Sequence, residues 1–302
     1  MRNAPHQDNA TLGITLVVSA MFIFATQDAI TKTLAASYSV PQILWVRFVF
    51  YALFALAFSA RKRPLRYCLK SNAPWLQIAR SLLIVTEIGM FIVAIRYMTL
   101  AEMHALLATF PLMVTGIAAL FLREPVGIRR WSAVFAGFIG VLIIIRPGII
   151  DIKPAVFLAL LTALMFAGYN VMTRLVAKYD DGETSTVYMA VIGAVVLTCI
   201  GPFYWIDPPL IDWFWLICLS FTAASGHFLL IKALEAAPAS TLQPFNYTLL
   251  VFATVIGYLF FDNLPDFWTV VGASVVVASG LYTIYRERKR APKAPPPLET
   301  AP

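Results

Sequence analysis

After a polar opening of about a dozen residues, the chain runs as long apolar stretches separated by short polar ones. The stretches cover 12–34, 41–60, 74–97, 101–122, 129–147, 154–177, 184–205, 212–234, 239–261 and 265–285. A hydrocarbon layer about 30 Å thick takes ~20 helical residues to cross, so the pattern predicts ten transmembrane helices. Backbone N–H and C=O groups find no water in lipid and must pair within their own segment, which selects helix. A membrane barrel would instead alternate polar and apolar positions over about ten residues. The first stretch is too long for a signal-peptide core and leads straight into further spans, so it reads as a retained helix. After Arg290 the chain ends in APKAPPPLETAP, a Pro-rich composition expected to stay disordered.

One motif within these stretches is written twice. FATQDAITKTLA at Phe24–Ala35 recurs 142 positions later as FAGYNVMTRLVA at Phe166–Ala177. Asp28 meets Asn170 in this alignment, and Lys32 meets Arg174. Spans 4 and 9 carry Pro111 and Pro244, and the joints after them carry Glu124 then Trp131, and Asp262 then Trp268. Spans 2 and 7 do not align. Five helices per copy is an odd number, so the second copy enters the membrane in the opposite sense, as in inverted-repeat transporters. The expected organisation is an all-α polytopic membrane protein: a short N-terminus (1–11), one repeat (12–148), a second (149–286) and a tail (287–302).

Charge fixes the orientation. Of 302 residues, 60% are hydrophobic and 13% charged, against about a quarter charged in soluble domains. With the N-terminus inside, 17 of the 23 Lys and Arg residues fall on the cytoplasmic side, 4 (Lys32, Arg96, Arg146, Lys153) outside, and Arg47 and Arg80 within spans. That asymmetry predicts cytoplasmic N- and C-termini. It also accounts for the net charge of +7 without a nucleic-acid partner. Cys68, Cys199 and Cys218 show neither metal-ligand spacing nor a disulfide framework. The chain contains no phosphate-binding G-x-x-x-x-G-K-[ST], no H-E-x-x-H and no G-x-S-x-G. Neither an enzyme nor a bound cofactor or metal is expected.

The stretches SAMFIFATQDAITKTL, WVRF at Trp45–Phe48 and Met98–Gly148 resemble the EamA-type drug/metabolite transporter superfamily, over about residues 12–286. The resemblance implies ten helices in two repeats, a bacterial inner-membrane location and ATP-independent transport of a small organic metabolite. The Asp28-x-x-x-Lys32 motif and the Leu100-Ala101-Glu102 stretch are most similar to the branch containing riboflavin importers and S-adenosylmethionine transporters. Amino-acid exporters are more distant.

Polar residues inside apolar runs are the candidates for chemistry, since a charge at mid-membrane costs about 2.5–3.5 kcal/mol and normally faces a cavity or a partner. Asp28 and Arg47 lie at similar depth from the outer side, so either they pair or Asp28 faces a cavity opposite Asn170. Glu87 is central in span 3, with Arg80 two turns earlier on the same face. His227 lies mid-span in the helix equivalent to span 3. Gln243 and Asn246, with Tyr247, flank Pro244, which frees a backbone carbonyl. Tyr169 and Asn170 occupy the element equivalent to Gln27 and Asp28. Each has a plainer reading as interhelical packing. Glu102 reads as a helix-start carboxylate; Glu102 and His104, two apart, point to different faces and make no metal pair. Glu124 is expected in an ion-pair network of the cytoplasmic loop. Ala136 and Gly140 form a small-xxx-small packing face.

The expected function is a secondary transporter working by alternating access, best matched to riboflavin-like vitamin uptake. An S-adenosylmethionine transporter, an amino-acid exporter, and, from other classes, an intramembrane enzyme or a membrane scaffold are the rivals. The expected partners are a small metabolite and the lipid bilayer, with a homodimer left open.

Overall fold

The computed structural model describes residues 9–62, 64–121, 127–147, 153–237 and 239–290. Glu124 and the Pro-rich tail lie outside them. Among the described residues every regular element is helical: α1 Ala10–Ser37, α2 Val40–Lys62, α3 Pro74–Ile95, α4 in two pieces (Leu100–Leu107 and Phe110–Phe121), α5 Ile128–Ile145, α6 Pro154–Val176, α7 Gly182–Ile200, α8 Leu210–Ala236, α9 in three (Ala239–Leu242, the 3-10 segment Gln243–Tyr247, Thr248–Phe261) and α10 Phe267–Arg290. Among the described residues nine segments are long and apolar enough to cross a membrane, and α5 contributes a shorter apolar helix, Trp131–Ile145. The ten-span pattern is therefore present. Two of the spans, expected as continuous helices, are broken.

Local chemistry sets the helix ends. Asn9 Oδ1 accepts from Leu12 N at 3.0 Å, and Asp181 Oδ1 accepts from Thr184 N at 2.8 Å. Thr99 and Glu102 satisfy each other's backbone N–H in a capping box, the helix-start role expected of Glu102. Pro74 and Pro154 open α3 and α6, where a missing N–H costs nothing.

The packing is symmetric under exchange of the halves. α1 lies on α8 as α6 lies on α3; α1 meets α9 as α6 meets α4; α3 meets α7 as α2 meets α8. α2 packs on α7, α4 on α9 and α5 on α10. Swapping α1–α5 for α6–α10 carries each of these pairings onto itself or onto another. Spans 2 and 7, which do not align in sequence, thus meet each other in space.

Small residues permit the close crossings. A Cβ on Gly140 would stand 2.8 Å from Gly272 O, and one on Gly272 would stand 2.6 Å from Gly140 O. The expected close face of span 5 is thus used, against α10. Phe24 lies over Gly226 and Phe48 over Gly193 in the same way.

The two membrane faces are tied differently. On the outer side, Lys32 Nζ donates to Met98 O at 2.6 Å, Arg96 to Tyr38 O, and the Tyr38 hydroxyl to Asp212. Gln42 exchanges two hydrogen bonds with the Ile206 backbone, at 2.6 and 3.1 Å. Arg146 pairs with Asp266. On the inner side, Asp180 accepts from the Ser71 hydroxyl, from Asn72 N at 2.8 Å and from Gln77 Nε2 at 2.9 Å. Burial pushes the Asp180 carboxyl up, but those hydrogen bonds together hold it below the usual carboxylate range.

Candidate functional site

The breaks in α4 and α9 shape the interior. Helical pairing in α4 lapses at Ala108 and Thr109, just ahead of Pro111, whose ring cannot follow a regular preceding turn. In α9 the whole segment around Pro244 tightens to 3-10 geometry. The two broken helices face each other across the interface between the halves, where interrupted helices build midplane sites in many carriers.

A cavity of about 470 Å³ lies there, within the size range of small-molecule sites. Its polar lining is His104 and Thr115 from α4, Asn170 and Arg174 from α6, Gln243, Asn246 and Tyr247 from α9, and Thr283 from α10. Among the described residues its wall carries no carboxylate. His104 marks the deep end, one turn inside the outer start of α4. Arg174, exposed in the last turn of α6, marks the cytoplasmic mouth. The cavity thus extends from His104, near the outer start of α4, to Arg174, near the cytoplasmic end of α6. Asn246 Oδ1 and the Tyr247 hydroxyl are buried and have no hydrogen-bond partner among the described residues.

Beside this wall lies a polar cluster, buried at Asp28, His104 and Glu87 and half-buried at Arg47, Tyr169 and His227. Asp28 Oδ2 is 3.0 Å from His104 Nε2, and both residues are buried. Arg47 acts electrostatically on Asp28, Glu87 and Tyr51, and on His227. Among the described residues Glu87 and Arg47 make no hydrogen bond or ion pair within 4 Å. His227 Nδ1 is 2.9 Å from Ala223 O, and its ring stands edge-on to Phe24 and tilted against Tyr51, at 5.3 and 5.7 Å. Tyr169 accepts from Arg80 at 3.1 Å. Arg80 also donates to Ser185 O at 2.6 Å and to Gln77 Oε1 at 3.1 Å.

The predicted residues therefore separate into two groups. Asn170, Gln243 and Asn246 line the cavity itself. Asp28, Arg47, Glu87, Tyr169 and His227 belong to the cluster beside it. The Asp28–Arg47 contact does not form: equal depth is necessary for pairing, but the rotation of α1 turns the Asp28 carboxylate toward α4. Asp28 backs the wall opposite Asn170 through His104 and does not itself line the cavity. The partner sequence reasoning missed is His104. It lies four residues inside the outer start of its helix, against nine for Asp28 from the outer end of its own, so counting depth did not bring the two together. Arg174 and Thr283 were also missed as lining residues, because they lie in the last turns toward the cytoplasm, where charge and hydroxyls are ordinary.

Comparison with known proteins agrees with this architecture. Residues 11–146 and 153–285 match the EamA-like transporter family. The chain is 25% identical to an S-adenosylmethionine uptake transporter of Rickettsia bellii, over 94% of this chain and 97% of that one. It is 28% identical to a riboflavin transporter of Rhizobium johnstonii, over 96% of each chain. It is also 28% identical to a riboflavin transporter of Vibrio cholerae, over 92% of this chain and 95% of that one. A solved crystal structure with 14% identity superposes with a TM-score of 0.60, covering 93% of this chain and 98% of its own; it bears on the fold alone.

Proposed function

The chain belongs to the EamA-like transporter family, and from that premise we propose that it is a secondary, ATP-independent carrier that takes up a neutral heteroaromatic metabolite, riboflavin first. The coarser statement needs no proposal: this is a multi-pass inner-membrane protein of a family of small-metabolite transporters.

The observation that carries the substrate reading is the chemistry of the wall. Amides and hydroxyls (Asn170, Gln243, Asn246, Tyr247, Thr115, Thr283) stand among apolar side chains such as Leu107, Phe110 and Leu250. That mixture suits a flat ring system edged with hydrogen-bonding groups. The charged group on the wall is Arg174, which disfavours a net cation. A scaffold would have no need of such a cavity. The halves meeting across it give alternating access a simple form, in which one repeat rocks against the other and exchanges the outer ties for an inner closure.

The second reading is S-adenosylmethionine, supported by the name of the Rickettsia bellii relative and by Asp28 and Glu87 behind the wall. Uptake of labelled riboflavin by a riboflavin auxotroph lacking its own importer, with labelled S-adenosylmethionine measured in parallel, separates the two. Growth rescue and riboflavin accumulation are expected. Accumulation of S-adenosylmethionine alone by the well-expressed protein would replace the substrate and keep the carrier.

A further inference from the structure

We propose that His104 and Asp28 form a proton-binding site on the wall of the cavity, through which substrate movement is coupled to a proton; this rests on the carrier reading above.

The geometry supplies the connection. His104 lines the cavity and at the same time holds Asp28 through Nε2 at 3.0 Å. Its other ring nitrogen makes no hydrogen bond among the described residues. Around the ring, α3 contributes the face of Phe91, whose centroid is 5.7 Å away. The cavity side offers Asn170, Asn246 and the Tyr247 hydroxyl. The buried pair thus touches both the aqueous space and the charges behind it.

The surrounding charges supply the need. Asp28, from α1, and Glu87, from α3, both lie within electrostatic reach of the Arg47 guanidinium, from α2. The other cations of the region are engaged elsewhere. Arg80 donates to Gln77, Ser185, Tyr169 and Thr173, and Gln77 in turn binds Asp180. Lys32 rests on Met98 O, with Glu102 its nearest acid. Tyr51 and Tyr169 contribute neutral hydroxyls. Asp28 meets no cation within 4 Å among the described residues unless the His104 ring is protonated, and a buried carboxylate without a contacting cation carries a cost. One proton removes it. His104 is the member of the cluster in reach of cavity water.

The step is a simple transfer. A proton from cavity water bonds to the free ring nitrogen of His104, giving an imidazolium that remains hydrogen-bonded to the Asp28 carboxylate. Release returns the proton to water and leaves the neutral ring donating Nε2–H to Asp28. Rocking of the halves presents the loaded or empty pair to opposite sides.

Two measurements test this. The chain has three histidines, so ring signals of histidine-labelled protein in micelles can be assigned by substitution. The His104 ring signal is expected to change with pH in the wild type, and that response to differ in Asp28→Asn. In proteoliposomes, one pH unit across the membrane, acid outside, is expected to drive about tenfold accumulation of riboflavin at one proton per substrate. In Asp28→Asn and His104→Gln that accumulation falls toward onefold, more steeply than riboflavin counterflow. A His104 signal that stays flat in the wild type, or counterflow that runs while the gradient drives nothing, overturns the proton site. Absent wild-type counterflow overturns the riboflavin reading instead, and the ring titration still decides the proton site.

Discussion

Replacing Gly272 with Ala probes the seam between α5 and α10, whose inner end supplies Thr283 and Ile284 to the cavity. The added Cβ would stand 2.6 Å from Gly140 O, 2.6 Å from Ile144 Cγ1 and 3.1 Å from Ile144 N. Two of those atoms belong to backbone and cannot rotate away. Ordinary contact lies at about 3.5–4.0 Å, so α10 must retreat by about 1 Å. Overpacking of this kind costs about 1–3 kcal/mol, and in lipid no hydrophobic drive between helices offsets the lost contact. Gly140→Ala meets Gly272 O and Val276 at 2.8 Å and is expected to cost as much. The double variant should cost less than the sum, since one retreat relieves both clashes. Gly116 serves as control: nothing lies within 4 Å of its Cβ, so Gly116→Ala should stay within about 0.5 kcal/mol. Reversible unfolding of the purified protein in mixed micelles measures all four. If Gly272→Ala proves no worse than Gly116→Ala, the close crossing is refuted, and with it the tight seam between the repeats.

Other consequences follow from single residues. Asn246→Ala removes an amide whose Oδ1 is buried at the cavity wall and is expected to lower riboflavin uptake about 5- to 150-fold, by losing a hydrogen bond worth about 1–3 kcal/mol to a desolvated partner; unchanged uptake at equal expression would exclude it from the site. Asp180 has its carboxyl held low by Ser71, Asn72 and Gln77. Its stabilisation is therefore complete above the unfolded carboxylate value of about 4 and is lost as pH falls through the lower folded value. Asp180→Asn should accordingly flatten the acid limb of the stability–pH curve and leave its slope above pH ~5 alone, as followed by thermal melts across pH.

How much of this was legible beforehand differs by feature. The spans were, because lipid leaves the backbone no alternative to internal pairing. The doubled motif at Phe24 and Phe166 was also readable, and the symmetric helix contacts agree with two related halves. Pro111 and Pro244 marked the helices that break. The sequence did not disclose that α4 gives way ahead of its proline, at Ala108 and Thr109, since the register of a break depends on what packs beside it. Asp28 illustrates the limit. Depth along a helix can be counted from its ends; it pointed to Arg47 and did not single out His104. Rotation about the helix axis decides between them, and rotation is set by tertiary packing, here Phe24 seated over Gly226 on α8. The carboxylate-free wall of the cavity was likewise hidden, because Arg47, Glu87 and His227 look central in sequence yet do not line the cavity.

Alternating access requires the space between the halves to be reached by water from one face at a time. Val114 lines it. With Cys68, Cys199 and Cys218 replaced by serine, Val114→Cys can be exposed to a membrane-impermeant thiol reagent in inside-out vesicles and in right-side-out spheroplasts. The account predicts rapid labelling from the cytoplasmic face, slow labelling from outside at rest, and faster outside labelling when the outer tie is removed by Arg146→Ala. A cysteine at position 114 that resists reagent from the cytoplasmic face in the folded protein would contradict it.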